Sequence, residues 1–85
     1  MLQIQVLGSG CANCHKLETL AKQAVAQLGI EGEVTMVTDV KEIMRYSILG
    51  TPGLVINGKV VSAGRVPALS QITTMITDAL GQGAN

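Results

Sequence analysis

The chain has 85 residues, 47% of them hydrophobic and 14% charged, with six basic and six acidic side chains that cancel to a formal net charge of zero. That length suits one domain, residues 1–85, with a modest core, and scattered, balanced charge offers no footprint for nucleic acid or anionic lipid. No apolar run nears the roughly 18 residues of a membrane span, and the opening Met1-Leu2-Gln3-Ile4 lacks the basic start and apolar stretch of a signal peptide, so a cytoplasmic protein is expected.

Phe and Trp are absent and Tyr46 is the sole aromatic residue, so the core must come from Ile, Leu, Val, Ala and Met. Along Leu2–Leu7, Leu2, Ile4 and Val6 alternate with Gln3, Gln5 and Leu7, which predicts a strand ended by Gly8-Ser9-Gly10. From Cys14, the residues Leu17, Leu20, Ala21, Ala24, Val25 and Leu28 follow helical spacing, Glu18 and Lys22 form a favourable i, i+4 pair, and Gly29 signals the stop. Residues 33–38 alternate again, predicting a second strand joined to the first by a right-handed helical crossover.

Asp39-Val40-Lys41-Glu42 reads as a capping box that opens a short helix, with Val40, Ile43 and Met44 turned inward and Gly50-Thr51-Pro52 as its breaker. Residues 54–56 and 59–62 flank Asn57-Gly58, a pair suited to a type I′ hairpin. A last helix is predicted from about Pro67, through Leu69, Ile72, Met75, Ile76, Ala79 and Leu80, to Gly81, with residues 82–85 as a frayed tail. The resulting order is β-α-β-α-β-β-α, without repeat or linker.

Cys11 and Cys14 are the only cysteines, and they fall where the first strand gives way to the first helix. A thiolate at a helix N-terminus meets free backbone N–H groups and the positive end of the helix dipole. These lower a cysteine pKa from about 8.5 toward the range of about 3.5–7.5 found at reactive sites. Cys11 is thus a candidate nucleophile, with Asn13 and the helix N–H groups as its nearest stabilisers. In a reducing compartment the two cysteines read as a reversible pair rather than a structural staple.

Cys11-Ala12-Asn13-Cys14-His15-Lys16-Leu17-Glu18, together with Thr51-Pro52-Gly53-Leu54-Val55-Ile56-Asn57-Gly58-Lys59-Val60, resembles the small, glutaredoxin-sized redox-active disulfide proteins of the thioredoxin fold. The resemblance spans nearly the whole chain. It implies an α/β thioredoxin-like fold, with a four-stranded mixed sheet and helices on both faces. It also implies a thiol-disulfide oxidoreductase in which Cys11 attacks and Cys14 resolves the mixed disulfide. Pro52 would be cis and face the cysteines, and the Thr51 backbone would pair with an extended substrate strand. Implied partners are protein disulfide or dithiol substrates and an upstream thiol reductant or reductase, with no cofactor and no metal.

Several positions depart from larger relatives in that fold. Gly10 stands where thioredoxins have Trp, Ala12-Asn13 where they have Gly-Pro, and Gln5 where they carry a buried carboxylate. The run Ala63-Gly64-Arg65-Val66 replaces the Gly-Gly and acidic residue of glutathione-binding glutaredoxins.

Two other uses of the cysteine pair compete. Small metallochaperones also place Cys-x-x-Cys between a strand and a helix to grip Cu(I) or Zn(II), but in a β-α-β-β-α-β order and usually with Met-x before the pair. A redox-switched adaptor would use the fold for binding alone. Cys11-x-x-Cys14-His15 also matches a c-type haem attachment motif, although His15 reads better as a solvent-facing residue of the first helical turn. Tyr46 is expected to pack, Met36, Met44 and Met75 to fill amphipathic positions, and Lys16, Lys22, Arg45 and Arg65 to be solvated charges.

Overall fold

In the computed structural model, which describes residues 2–46, 48 and 50–83, β1 (Leu2–Leu7) forms an interior strand of the sheet. It pairs in parallel with β2 (Gly32–Val37), from Leu2 opposite Gly32 to Leu7 opposite Val37. On its other side it pairs antiparallel with β3 (Gly53–Ile56), from Ile4 opposite Ile56 to Leu7 opposite Gly53. β4 (Lys59–Ala63) extends the sheet antiparallel to β3, completing the order β2-β1-β3-β4. Helices α1 (Ala12–Leu28), α2 (Val40–Met44) and α3 (Leu69–Gly83) complete the order expected from the sequence, which is not the order of metallochaperones.

Period-two alternation divides β1 between two unlike surfaces. Leu2, Ile4 and Val6 join Leu17, Ala21 and Ala24 of α1, Leu54 and Ile56 of β3, and Ile72 and Ile76 of α3 in one core. The buried positions of α1 recur at intervals of three and four, so a single stripe of the helix faces the sheet. Gly29 ends the helix in the left-handed conformation, its N–H donating to the Ala26 carbonyl. Glu18 and Lys22 make their expected contact at 3.9 Å on the outer side.

The opposite surface is covered more thinly. Leu7 and Val55 are buried outside the main cluster, and a side chain on Gly53 would crowd Ile48 and Leu7. Here the chain leaving α2 lies against the sheet, and the Tyr46 hydroxyl donates to Gln5 Oε1 at 2.7 Å. Tyr46 is therefore not simple packing but a polar clasp between the α2 exit and β1.

α2 differs most from expectation. Asp39 caps it by accepting from the Lys41 N–H at 2.9 Å, while Glu42 lies 3.7 Å from Arg45. The helix ends at Met44, well before Gly50, and buries none of its residues. Val40 is 64% exposed and Met44 71%, so neither points inward, and only Ile43 is half-buried. Five residues make little more than one turn, too few for an apolar face to cover both ends.

At the hairpin, Asn57 (φ 51°) and Gly58 (φ 84°) adopt the paired positive φ of a type I′ turn. Asn57 also extends the β1 to β3 ladder. Its N–H donates to the Gln3 carbonyl at 2.8 Å, and its Oδ1 accepts from the Gln3 N–H at 2.9 Å. Beyond the turn, Leu54 faces Ser62 but Val55 faces Val60, so Val61 is an extra residue bulged out of register. α3 starts at Leu69, just after buried Pro67, and continues through Gly81 to Gly83. Residues 82 and 83 are thus helical rather than tail, and residues 84 and 85 lie outside the described residues.

Two substitutions separate core from surface. Ile76→Ala, in the fully buried stripe of α3, is expected to cost about 2–5 kcal/mol, and Met44→Gln less than about 0.5 kcal/mol, by urea denaturation. Equal losses would contradict this division. The Ser62 hydroxyl is buried without a partner among the described residues, so Ser62→Ala should leave stability unchanged or raise it by about 1 kcal/mol; a drop in the urea midpoint would show that the hydroxyl is satisfied.

Candidate active site

The end of β1 delivers the cysteine pair. After Leu7, the Gly8 N–H continues the parallel ladder by donating to the Val37 carbonyl at 3.0 Å. Gly10, at φ +88°, then turns the chain into α1 through a conformation that L side chains rarely adopt. Cys11 follows as the helix N-cap, with φ −68° and ψ 167°. Its Sγ accepts from the Cys14 N–H at 3.2 Å, the role that a serine or aspartate oxygen fills at other helix starts. The donor to Cys11 is thus a helix N–H.

Cys11 and Cys14 are joined as a disulfide, with Cα atoms 5.0 Å apart. The two sulfurs belong to different environments. Cys11 is exposed, whereas Cys14 is fully buried at the top of the α1 stripe. Cys14 Sγ fills the space beside Gly8, where a Cβ would collide with it and approach Cys14 Cβ to 3.2 Å. Sequence reasoning took Gly8 only as a strand terminator. Its one detectable signal was its even position in the Leu2, Ile4, Val6 alternation, which puts it on the surface that α1 covers.

Pro52 enters from β3. The Thr51-Pro52 peptide is cis, as the resemblance implied, with Pro52 buried and Thr51 exposed. Because Leu7 pairs with Gly53, extending that register sets Pro52 across from Gly8, the residue against which Cys14 packs. The Pro52 carbonyl is occupied by the Gly64 N–H at 3.0 Å, and a Cβ on Gly50 would lie 3.4 Å from Gly64 Cα. Three backbone segments therefore converge at one end of the sheet: the β1 to α1 turn, the turn before β3, and the exit of β4.

Gln5 has no charge to place behind the cysteines, and its Oε1 is engaged by Tyr46. His15 lies in the first turn of α1, with 65% of its side chain exposed and Nδ1 3.9 Å from Glu18 Oε1.

A cysteine exposed at a helix start and bonded to a buried one has the arrangement of a dithiol-disulfide exchange protein. Comparison with known proteins gives the lineage. A family model described as "Thioredoxin domain" matches residues 2–77. The chain is 35% identical over 77 residues to a thioredoxin of Methanothermobacter thermautotrophicus, covering 91% of this chain and 100% of the relative. It is 36% identical over 72 residues to a thioredoxin of Methanocaldococcus jannaschii, covering 85% of this chain and 83% of the relative. The crystal structure of the germline-specific thioredoxin Deadhead from Drosophila melanogaster shares the fold, with a TM-score of 0.63 at 17% identity over 91% of this chain and 79% of that one. The chain belongs to the thioredoxin family of thiol-disulfide oxidoreductases.

Gly8→Val tests the seat of Cys14. The added side chain is expected to lower stability by about 1–3 kcal/mol and to leave part of the pair as free thiol under conditions that fully oxidise the parent. Urea denaturation and thiol alkylation with intact-mass detection measure both. Unchanged stability and complete oxidation would show that Cys14 does not depend on this space.

Proposed function

We propose that the protein reduces disulfides in protein substrates, with Cys11 as the attacking sulfur and Cys14 as the resolving one. The observation that carries this assignment is the difference in access: Cys11 is exposed at the start of α1 and Cys14 is fully buried. The Cys11 thiolate attacks one sulfur of the substrate disulfide. An S–S bond forms to Cys11, the substrate S–S bond breaks, and the second substrate sulfur leaves as thiolate. Cys14 then loses its proton and attacks Cys11 Sγ. The Cys11–Cys14 disulfide forms, and the remaining substrate sulfur leaves as thiolate.

The dithiol thereby supplies two electrons, and an upstream thiol reductant or reductase restores it. Gln5 is not an ionisable base, so the Cys14 proton passes to water or to the departing substrate thiolate. Thr51 and Pro52 form the substrate platform in this reading. Thr51 is exposed and precedes the buried Pro52, and its backbone would pair with an extended segment of substrate in the manner of strand addition. We place the reaction in the cytoplasm, where thiol reductants are available to return the pair to its dithiol form.

Replacement of each cysteine distinguishes the roles. Cys14→Ser should accumulate covalent mixed disulfides with a disulfide-bonded protein such as insulin, detected by non-reducing electrophoresis and mass. Cys11→Ser should form none and lose at least about 100-fold in turnover. Trapping through Cys14 in the Cys11 variant, or equal residual activity in both variants, would overturn the assignment.

A further inference from the structure

We propose that Tyr46 and Gln5 are positioning residues for protein substrates, their hydrogen bond setting the Thr51-Pro52 platform relative to the strand that delivers the cysteines; this rests on Thr51 and Pro52 being the substrate platform. α2 buries none of its residues, so the helix gives the chain that follows it no anchor on the sheet. The first grip comes at Tyr46, directly after the Arg45 cap. Its N–H donates to the Ile43 carbonyl at 3.1 Å, closing the last turn of the helix, and its hydroxyl donates to Gln5 Oε1 at 2.7 Å. Both residues are half-buried, which shields the bond in part from competing water. Gln5 is an interior position of β1, opposite Thr35 of β2 and Val55 of β3. Tyr46 is thus tied to a part of the sheet that is paired on both sides.

Downstream, the chain is held at further points. Ile48 lies over Gly53, where an added Cβ would fall 2.9 Å from Ile48 Cδ1. Gly50 lies against Gly64, and the Pro52 carbonyl accepts from the Gly64 N–H at 3.0 Å. These contacts fasten the platform to β3 and to the exit of β4. The clasp is the one of the four that reaches β1, and β1 runs on to Gly8, against which Cys14 packs. The platform and the cysteine pair therefore share β1 as a common reference. Without the clasp, the segment keeps its contacts with β3 and β4 but loses its hold at the α2 end, and the Thr51 backbone departs from the position in which a substrate strand pairs while its disulfide meets Cys11. A protein substrate then loses binding in the ground state and the transition state alike, which raises KM and leaves kcat unchanged. A small disulfide needs no strand pairing and reaches the exposed Cys11 directly, so its rate stays the same.

The test follows two reactions of the full chain and its variants: reduction of insulin driven by excess dithiothreitol, and reaction of the reduced protein with dithiobis(nitrobenzoic acid), a small aromatic disulfide. Tyr46→Phe keeps the ring and removes the donor, Gln5→Leu removes the acceptor, and Gln5→Glu keeps an acceptor oxygen. Tyr46→Phe and Gln5→Leu should each raise the insulin KM by about 2- to 10-fold, the size that one hydrogen bond supports, with kcat unchanged. The double variant should exceed neither single one, because both remove the same bond, and Gln5→Glu should stay near the parent. The small-disulfide rate should be the same in Tyr46→Phe, Gln5→Leu and the parent. A bond that serves stability alone would lower the urea midpoint without separating the two substrates. An unchanged insulin KM in both single variants, additive effects in the double variant, or equal slowing with both substrates would overturn the role of the clasp. Pro52→Ala perturbs the platform directly. An insulin KM raised in Pro52→Ala but not in Tyr46→Phe would overturn the clasp and leave the platform standing, whereas an insulin KM unchanged in Pro52→Ala would overturn the platform and this inference with it.

Discussion

Contact between Cys14 and Gly8 is the constraint around which the site is arranged. Gly8 is held by the end of β1, where the Val37 carbonyl receives its N–H and Leu7 pairs with both Val37 and Gly53. The sulfur of Cys14 settles into the room that glycine leaves, and Leu17, Ala21 and Ala24 continue the same buried stripe down α1. Most of a helix's stability in a protein comes from burying such a face. The burial that stabilises α1 therefore also sets the height of its first turn, and with it the position of the Cys11 cap. Reactivity at the exposed sulfur is a consequence of packing at the hidden one.

Much of this was legible in the chain because it is local. Period-two alternation located β1 at its observed ends, Asn57-Gly58 specified the hairpin turn, and Leu17, Ala21 and Ala24 announced the buried stripe. The cysteine pair was visible from its place between a strand and a helix. What escaped depends on partners distant in sequence. Three apolar residues in α2 looked like an inward face, yet a helix of this length offers too little periodicity to tell inside from outside. The extra residue at Val61 arises only when β4 is laid against β3. Gly81 signalled a stop, yet α3 runs on to the next glycine, Gly83. The partnership of Tyr46 with Gln5 spans 41 positions, and no local pattern encodes it. The cis form of the peptide before Pro52 came from the family resemblance, since an isomer has no signature in composition or spacing.

The two surfaces of the sheet contribute differently. One carries the aliphatic core beneath α1 and α3 and supports the cysteine pair. The other is covered by the chain leaving α2, with Leu7, Val55 and Ile48 in a smaller apolar layer and a polar clasp beside them. The site is mounted on the strongly packed side, and Pro52 comes to it from β3, whose residues are buried throughout. A rigid support of this kind holds both cysteines in register while leaving only the cap accessible.

The clasp on the thinner surface also sets the optical character of the molecule. With no tryptophan or phenylalanine and one tyrosine, intrinsic ultraviolet emission originates at Tyr46 alone. Its hydroxyl is bound to Gln5, so the emitted light reports the seating of the α2 exit on β1. The aliphatic core on the far side of the sheet is dark.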